Sequence, residues 1–130
     1  MFITNQQSGT NIHEIADQIY RINTPVYAQG GPGDFSYNQF LVVDDAPLLF
    51  HTGLRKMFPL VREAVASVMP VQRLRYVGFS HVEADECGSL NEWLAAAPQS
   101  VPLCGKLAAM VSVDDIADRP ALALADGETL

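Results

Sequence analysis

Cysteine and basic residues are both scarce in this chain, and neither forms a pattern typical of a binding site. The 130 residues include 2 cysteines, Cys87 and Cys104, which lack the C-x-x-C spacing of zinc or redox sites. We therefore expect two reduced thiols, one of them buried. Lysine and arginine number 8 against 15 acidic residues, for a net charge of −7. Nucleic acids and anionic membrane surfaces require clustered positive charge, so both are disfavoured as partners.

Long apolar runs are also missing. No stretch approaches the roughly 20 apolar residues of a membrane helix, and residues 1–9 lack the basic and apolar regions of a signal peptide. We therefore expect a cytoplasmic protein that does not act at a membrane. Hydrophobic residues make up 48% and charged residues 18% of the chain, which is typical of a globular protein and excludes a disordered one.

Strand patterns dominate the first third of the chain, and strand and helix patterns alternate afterwards. Alternating or continuous apolar residues predict strands at residues 18–22, 40–43, 48–51, 74–79 and 100–104. Apolar spacing of three and four predicts helices at residues 57–68, 90–97, 106–110 and 113–116. Glycine-rich residues 30–34 predict a hairpin turn or a loop over a site, and residues 44–47 predict a turn between two strands.

The last residues predict a strand that is cut short. Residues 122–125 are strand-like and are followed by Asp126-Gly127, a strong hairpin signal. The return strand would begin at Glu128 and stop within three residues. We therefore expect residues 1–130 to be a single, partial domain of a longer protein.

The segment from Ser80 to Leu90 follows the predicted strand at residues 74–79 and holds the main candidate site. His81, Glu83 and Asp85 alternate within it, and alternate residues of an extended backbone point to the same side. One nitrogen and two anionic oxygens suit a divalent metal such as iron, manganese or zinc. The pattern therefore predicts three side chains that converge on a metal ion.

An interpretation without a metal stays open from the residues alone. His81, Glu83 and Asp85 are also residue types that are common in solvated loops. Ser89 with Glu92 matches the S-x-x-E capping box of a helix that begins at Leu90, so this helix does not need Asp85. Ligand sites of α/β proteins, however, lie where a strand ends and a loop leads into a helix. This context favours the metal site.

The order hairpin, helix, buried strand, H-x-E-x-D and helix resembles the first half of a metallo-β-lactamase-fold domain. That resemblance implies an α+β fold, an αββα sandwich whose mixed or antiparallel sheet has flanking helices. Hydrolytic members carry H-x-H-x-D-H and usually bind zinc. H-x-E-x-D is similar to the variant in flavodiiron proteins and stand-alone oxygen-binding diiron domains. Ser80, Tyr37-Asn38 and Gly88-Ser89-Leu90 also match, and the resemblance extends from about Asn11 onward.

The resemblance implies a diiron site with O2 or NO as its small-molecule ligand. His81 and Glu83 would bind one iron and Asp85 the other, with zinc or manganese as alternative metals and no catalytic residue beyond the ligands. The family's remaining ligands, a histidine, a bridging aspartate and a final histidine, lie further along than this chain extends. No FMN-binding flavodoxin-like domain follows, so a separate electron-donor protein would have to supply electrons.

Two residues near the motif depart from the family pattern. Glu86 stands where the family usually has histidine. We interpret Glu86 as solvent-exposed, with a substitute ligand or a base behind the ligands as alternatives. His51 stands where many members have a structural aspartate. We expect it to be a partly buried histidine at a strand end, within reach of the site.

Two other functions remain open at this stage. One is a hydrolase of the same fold that attacks a thioester, ester or phosphodiester with metal-bound hydroxide, although Glu83 argues against zinc. The other is a truncated, metal-free domain that acts through association. A half-domain would leave one apolar sheet face uncovered, so we expect a homo-oligomer or association with a complementary half-domain.

Overall fold

The computed structural model describes residues 1–28 and 31–130, without the side chains of residues 27, 28 and 31–34. The predicted glycine-rich turn therefore lies partly outside the described residues, and its part from Gly31 onward belongs to a strand. No helix in the described ranges is long and apolar enough to cross a membrane.

One mixed sheet organises the described chain. Its strands lie side by side in chain order. They are β1 Phe2–Asn5, β2 Thr10–Ala16, β3 Ile19–Ala28, β4 Gly31–Val42, β5 Leu48–Phe50, β6 Tyr76–Gly78, β7 Val101–Gly105 and β8 Leu122–Leu124. Neighbours from β1 to β5 are antiparallel, and neighbours from β5 to β8 are parallel. The parallel half needs crossover connections, which contain the helices.

The helices are short, and the one at Ala84–Cys87 was not predicted. They are α1 Phe58–Ala66, α2 Ala84–Cys87, α3 Leu90–Ala96, α4 Lys106–Ala108 and α5 Asp114–Ile116. Residues Arg55–Met57 and Val71–Arg73 form 3-10 turns, and a π-turn at Ala109–Val113 joins α4 to α5. The predicted strands and helices are thus confirmed, although most are shorter than expected.

The core lies between one face of the sheet and the helices. Residues that pair directly on neighbouring strands point to the same face of the sheet. The pairs Ile12–Ile22 and Leu49–Val77 are buried on the face that the helices cover. Trp93 of α3 is completely buried and packs edge-to-face on Phe58, with ring centroids 5.1 Å apart. Burial of these apolar side chains fixes α1 and α3 against the sheet.

The opposite sheet face carries two apolar rows, which we name the outer rows. One row is Phe40, Phe50, Gly78, Leu103 and Leu122, and the other is Val42, Leu48, Tyr76 and Val101. Among these described residues only Gly78 and Leu103 are buried, and Leu122 is 41% exposed. No member belongs to the buried core cluster. The face that we expected to lack a covering sheet is therefore apolar and partly exposed.

Two smaller predictions are wrong. Residues 128–130 form no strand, because β8 pairs in parallel with β7 and the Ala125–Glu128 turn closes on itself through the Glu128 N–H and side chain. Both thiols are buried, whereas we expected one. Burial raises the pKa of the Cys87 and Cys104 thiols, which keeps them protonated and unreactive.

Candidate metal-binding loop

The H-x-E-x-D loop leaves the C-terminal end of β6 and enters α2. Glu83 has an extended backbone, with φ −130° and ψ 152°, but Asp85 already lies inside the helix. The N–H groups of Glu86 and Cys87 bind the Glu83 carbonyl oxygen and close the first turn. Asp85 and Glu86 also favour this turn, because negative side chains stabilise helix N-termini. The predicted extended alternation from His81 to Asp85 is therefore wrong, because residues 80–82 form a bend and Asp85 lies in a helix.

Two backbone hydrogen bonds from the segment after β5 hold α2 in position. The Thr52 N–H donates to the Glu86 carbonyl oxygen at 2.8 Å, and the Gly53 N–H donates to the Asp85 carbonyl oxygen at 3.1 Å. Gly53 has φ +81°, a left-handed backbone that glycine adopts without strain. These bonds use backbone oxygens and do not engage the Asp85 carboxylate.

The capping box predicted from Ser89 and Glu92 does not form. The Ser89 hydroxyl donates to the Thr52 carbonyl oxygen at 3.3 Å, and its side chain makes no cap bond to α3. Glu92 pairs instead with Arg55, whose Nε lies 2.9 Å from Glu92 Oε1. The Ser89 hydroxyl therefore binds Thr52, which is distant in sequence, whereas the local sequence predicts that it caps the start of α3.

The described structure does not bring the three candidate ligands together. His81 is 71% exposed at its side chain, Glu83 is exposed and Asp85 is half-buried. His81 borders a pocket formed with Leu107 and neighbouring residues, whereas Glu83 borders a different pocket beside Arg55. Within the described residues, no three His, Cys, Asp or Glu side chains are grouped so that they could hold a metal ion.

Glu86 is turned into the loop, so our interpretation of it as solvent-exposed is wrong. Its side chain is only 13% exposed. Glu86 Oε2 accepts bonds from the His81 N–H at 2.5 Å and from the Ser80 hydroxyl at 3.0 Å. These two donors at the end of β6 draw the carboxylate inward.

The carboxyl of Glu86 is held in its ionised form. Burial by itself raises the pKa of Glu86, but hydrogen bonds from the His81 N–H and the Ser80 hydroxyl oppose it. The nearby His51 and His81 side chains act in the same direction as these bonds. The net result is a pKa below the ordinary value. Glu86 therefore places an anion next to two imidazoles.

His51 is the partly buried strand-end histidine that we expected. Its backbone is left-handed, with φ +68°, and its ring stacks on Phe50 with centroids 4.4 Å apart. His51 Nε2 lies 3.3 Å from Ser80 Oγ and 3.5 Å from Glu86 Oε2. Sequence reasoning missed Ser80 as the residue between these side chains, since nothing marks it except its place before His81.

The donor chemistry of the loop fits a hard divalent cation. The Glu83 carbonyl oxygen accepts the bonds of the α2 turn, and the Glu83 side chain is exposed. One imidazole and two carboxylates are donors that iron and manganese accept. An ion bound by both residues would require the exposed Glu83 side chain to move toward His81.

The chain belongs to the family described as ODP family beta lactamase, whose model matches residues 35–127. The matched region contains His51, Ser80 and the whole H-x-E-x-D loop. A search among curated proteins found no significant match.

Solved structures show the same fold. Rubredoxin oxygen:oxidoreductase from Desulfovibrio gigas is 24% identical with a TM-score of 0.79, over 92% of this chain and 32% of that one. A flavo di-iron protein mutant from Thermotoga maritima is 17% identical with a TM-score of 0.77, over 92% and 33%. A metallo-β-lactamase mutant from Cronobacter sakazakii is 14% identical with a TM-score of 0.62, over 87% and 45%.

These comparisons confirm the predicted fold class and the family resemblance. The chain has a metallo-β-lactamase-like fold and belongs to the ODP family beta lactamase family. It spans about a third of the length of the Desulfovibrio gigas and Thermotoga maritima proteins and less than half of the metallo-β-lactamase.

Proposed function

We propose that this chain provides the first metal-binding loop of a non-haem diiron domain that binds, senses or reduces O2 or NO. The observation that carries the proposal is the position of the H-x-E-x-D loop. It leaves the end of a parallel strand inside the region matched by the family model. Ligands of open α/β sheets bind at such strand ends. The named relatives include an oxygen:oxidoreductase and a di-iron protein, which supports this chemistry.

His81 and Glu83 would hold one iron and Asp85 the other. A carboxylate at position 83 adds negative charge and a hard oxygen, which favours iron over zinc and keeps manganese as an alternative. The bound irons would supply the binding and reduction of O2 or NO. Protein residues contribute position and charge, and reduction of O2 or NO requires a source of electrons. An electron-donor protein is therefore a proposed partner.

The outer rows support association with a complementary half-domain or a second copy of the chain. In an αββα sandwich a second sheet packs on this face. The partly exposed Phe40, Leu48 and Phe50 side chains provide an apolar surface for such a partner.

Substitution of the carboxylates tests the ligand assignment. Glu83→Ala should lose iron when the chain is loaded with Fe²⁺ without oxygen, whereas Glu128→Ala, at an exposed site on the last turn, should retain it. Asp85→Asn should weaken the second iron more than the first, because an amide is a poorer ligand than a carboxylate. Iron retained at wild-type stoichiometry in Glu83→Ala would refute the assignment.

A hydrolase is the second candidate, supported by the family description as a beta lactamase and by the fold shared with the Cronobacter sakazakii enzyme. Stoichiometric zinc together with hydrolysis of a generic ester or thioester would favour it. Absence of any stoichiometric metal, with no change after His81→Ala, would favour the third candidate, a metal-free domain that acts through association.

A further inference from the structure

The Ser80 hydroxyl lies at the centre of a cluster of three titratable side chains. Ser80 Oγ is 3.0 Å from Glu86 Oε2, 3.1 Å from His81 Nδ1 and 3.3 Å from His51 Nε2. His51 comes from the end of β5, Ser80 and His81 follow β6, and Glu86 lies on α2. Three separate elements therefore meet at one hydroxyl group.

The hydrogen-bonding capacity of these groups fixes where the protons lie. A serine hydroxyl donates one hydrogen bond and accepts two, and an ionised carboxylate only accepts. The Ser80 proton must therefore go to Glu86. The two remaining contacts require the ring nitrogens to donate to Ser80 Oγ, so His51 Nε2 and His81 Nδ1 each carry a proton.

The charge of Glu86 favours the same arrangement. Glu86 Oε1 lies 3.7 Å from His81 Nδ1, and Glu86 Oε2 lies 3.5 Å from His51 Nε2. An anion stabilises N–H groups that point toward it and repels nitrogen lone pairs. Neutral His81 then has its lone pair on Nε2. The His81 backbone N–H also donates to Glu86 Oε2, so both the backbone and the ring of His81 are held.

We propose that Ser80, held by Glu86 and His51, is a positioning residue that fixes His81 as its Nδ1–H tautomer. Nε2 then remains as the metal-binding nitrogen. The metal-facing part of this inference rests on the proposed function, whereas the tautomer is a property of the metal-free chain. Histidines that bind metals nearly always donate their other N–H to a fixed acceptor, and loss of that acceptor typically weakens metal binding about 10–100-fold.

The tautomer can be measured directly in the metal-free chain. Long-range ¹H–¹⁵N correlation spectra of the imidazoles, recorded near about pH 8 where an ordinary histidine is neutral, should show His81 as the Nδ1–H form. Ser80→Ala should shift His81 toward the Nε2–H form that predominates in unconstrained histidine. Ser80→Thr keeps the hydroxyl and should restore the Nδ1–H form. Ser67→Ala removes a hydroxyl that donates to the Ala64 carbonyl oxygen at its own helix end and should leave His81 unchanged.

Metal affinity gives the second readout. Fe²⁺ titration without oxygen should show about 10–100-fold weaker binding for Ser80→Ala than for Ser67→Ala. An Nε2–H tautomer in the wild-type chain, or a tautomer that Ser80→Ala leaves unchanged, would overturn the inference. If the tautomer shifts as expected but the wild type binds no iron, positioning of His81 stands and the proposed diiron function fails. If the wild type binds iron but Ser80→Ala leaves the His81 tautomer unchanged, the proposed diiron function stands and the positioning of His81 by Ser80 fails.

Discussion

Thr52 and Ser89 are joined by two hydrogen bonds in the protein interior, across 37 residues of chain. The Ser89 N–H donates to Thr52 Oγ1 at 3.2 Å, and the Ser89 hydroxyl donates to the Thr52 carbonyl oxygen at 3.3 Å. Both residues are completely buried. This pair fixes the start of α3 and, through it, the helix α2 that carries Asp85 and Glu86.

Thr52→Val should destabilise the protein, because valine has the same shape but leaves the buried Ser89 N–H without its acceptor. The expected loss is about 1–3 kcal/mol of unfolding free energy. Urea unfolding followed by the fluorescence of buried Trp93 measures it. Thr129→Val, at an exposed position, should change nothing. Equal midpoints for both variants would contradict the structural role of the Thr52–Ser89 pair.

Gly88→Ala should displace the candidate loop. A Cβ at Gly88 would lie 2.3 Å from the Ala84 carbonyl oxygen and 3.0 Å from the Arg55 backbone nitrogen, so α2 or the 3-10 turn would have to move. Overpacking of this kind costs at least about 1–3 kcal/mol. Gly105→Ala is the matched control, since nothing lies within 4 Å of a Cβ there. A Gly88→Ala variant as stable as Gly105→Ala would show that the turn is not this tight.

Gln39→Met should stabilise the fold. Gln39 is completely buried, and neither its Oε1 nor its Nε2 has a hydrogen-bond partner among the described residues. An apolar side chain of similar shape removes this desolvation penalty, for an expected gain of about 1–3 kcal/mol. Gln72→Met, at an exposed position, should be neutral. A lower urea midpoint for Gln39→Met would mean that the amide does make a stabilising contact.

The isolated chain should self-associate through the outer rows, since partly exposed apolar side chains drive association when nothing covers them. Size-exclusion chromatography with light scattering should give a mass above that of one chain. Leu122→Glu places a charge on the 41% exposed end of one row and should lower the mass. Leu107→Glu alters an exposed leucine outside the rows and should not. A monomeric wild-type chain would refute the association.

Strands and helices that depend only on the residues of one segment were predictable from the sequence. The hairpin of β4 and β5, the helix α1 and the strand β6 follow from local apolar spacing and turn residues. The family resemblance then predicted a mixed or antiparallel sheet with flanking helices. Local pattern also suggested the apolar outer rows, because β5 and β6 are apolar on both faces and read as fully buried strands.

Contacts between distant segments were not predictable. Ser89 matched a local cap, but its hydroxyl binds Thr52 from another crossover. Glu86 appeared exposed because its spacing from Ser80 and His81 does not show that the Ser80 hydroxyl and the His81 N–H bind its carboxylate. Asp85 left the expected extended run because α2 begins one residue before it. In each case a hydrogen bond formed by the folded chain outweighed the local preference.

Metal content of the chain purified without oxygen tests the central claim most directly. Elemental analysis should find near-stoichiometric iron in the wild type and in His13→Ala, whose histidine lies on the exposed part of β2, and little iron in His81→Ala. That result would establish the H-x-E-x-D loop as an iron-binding element. Equal iron in His81→Ala and His13→Ala, or no stoichiometric metal in any of the three proteins, would contradict it.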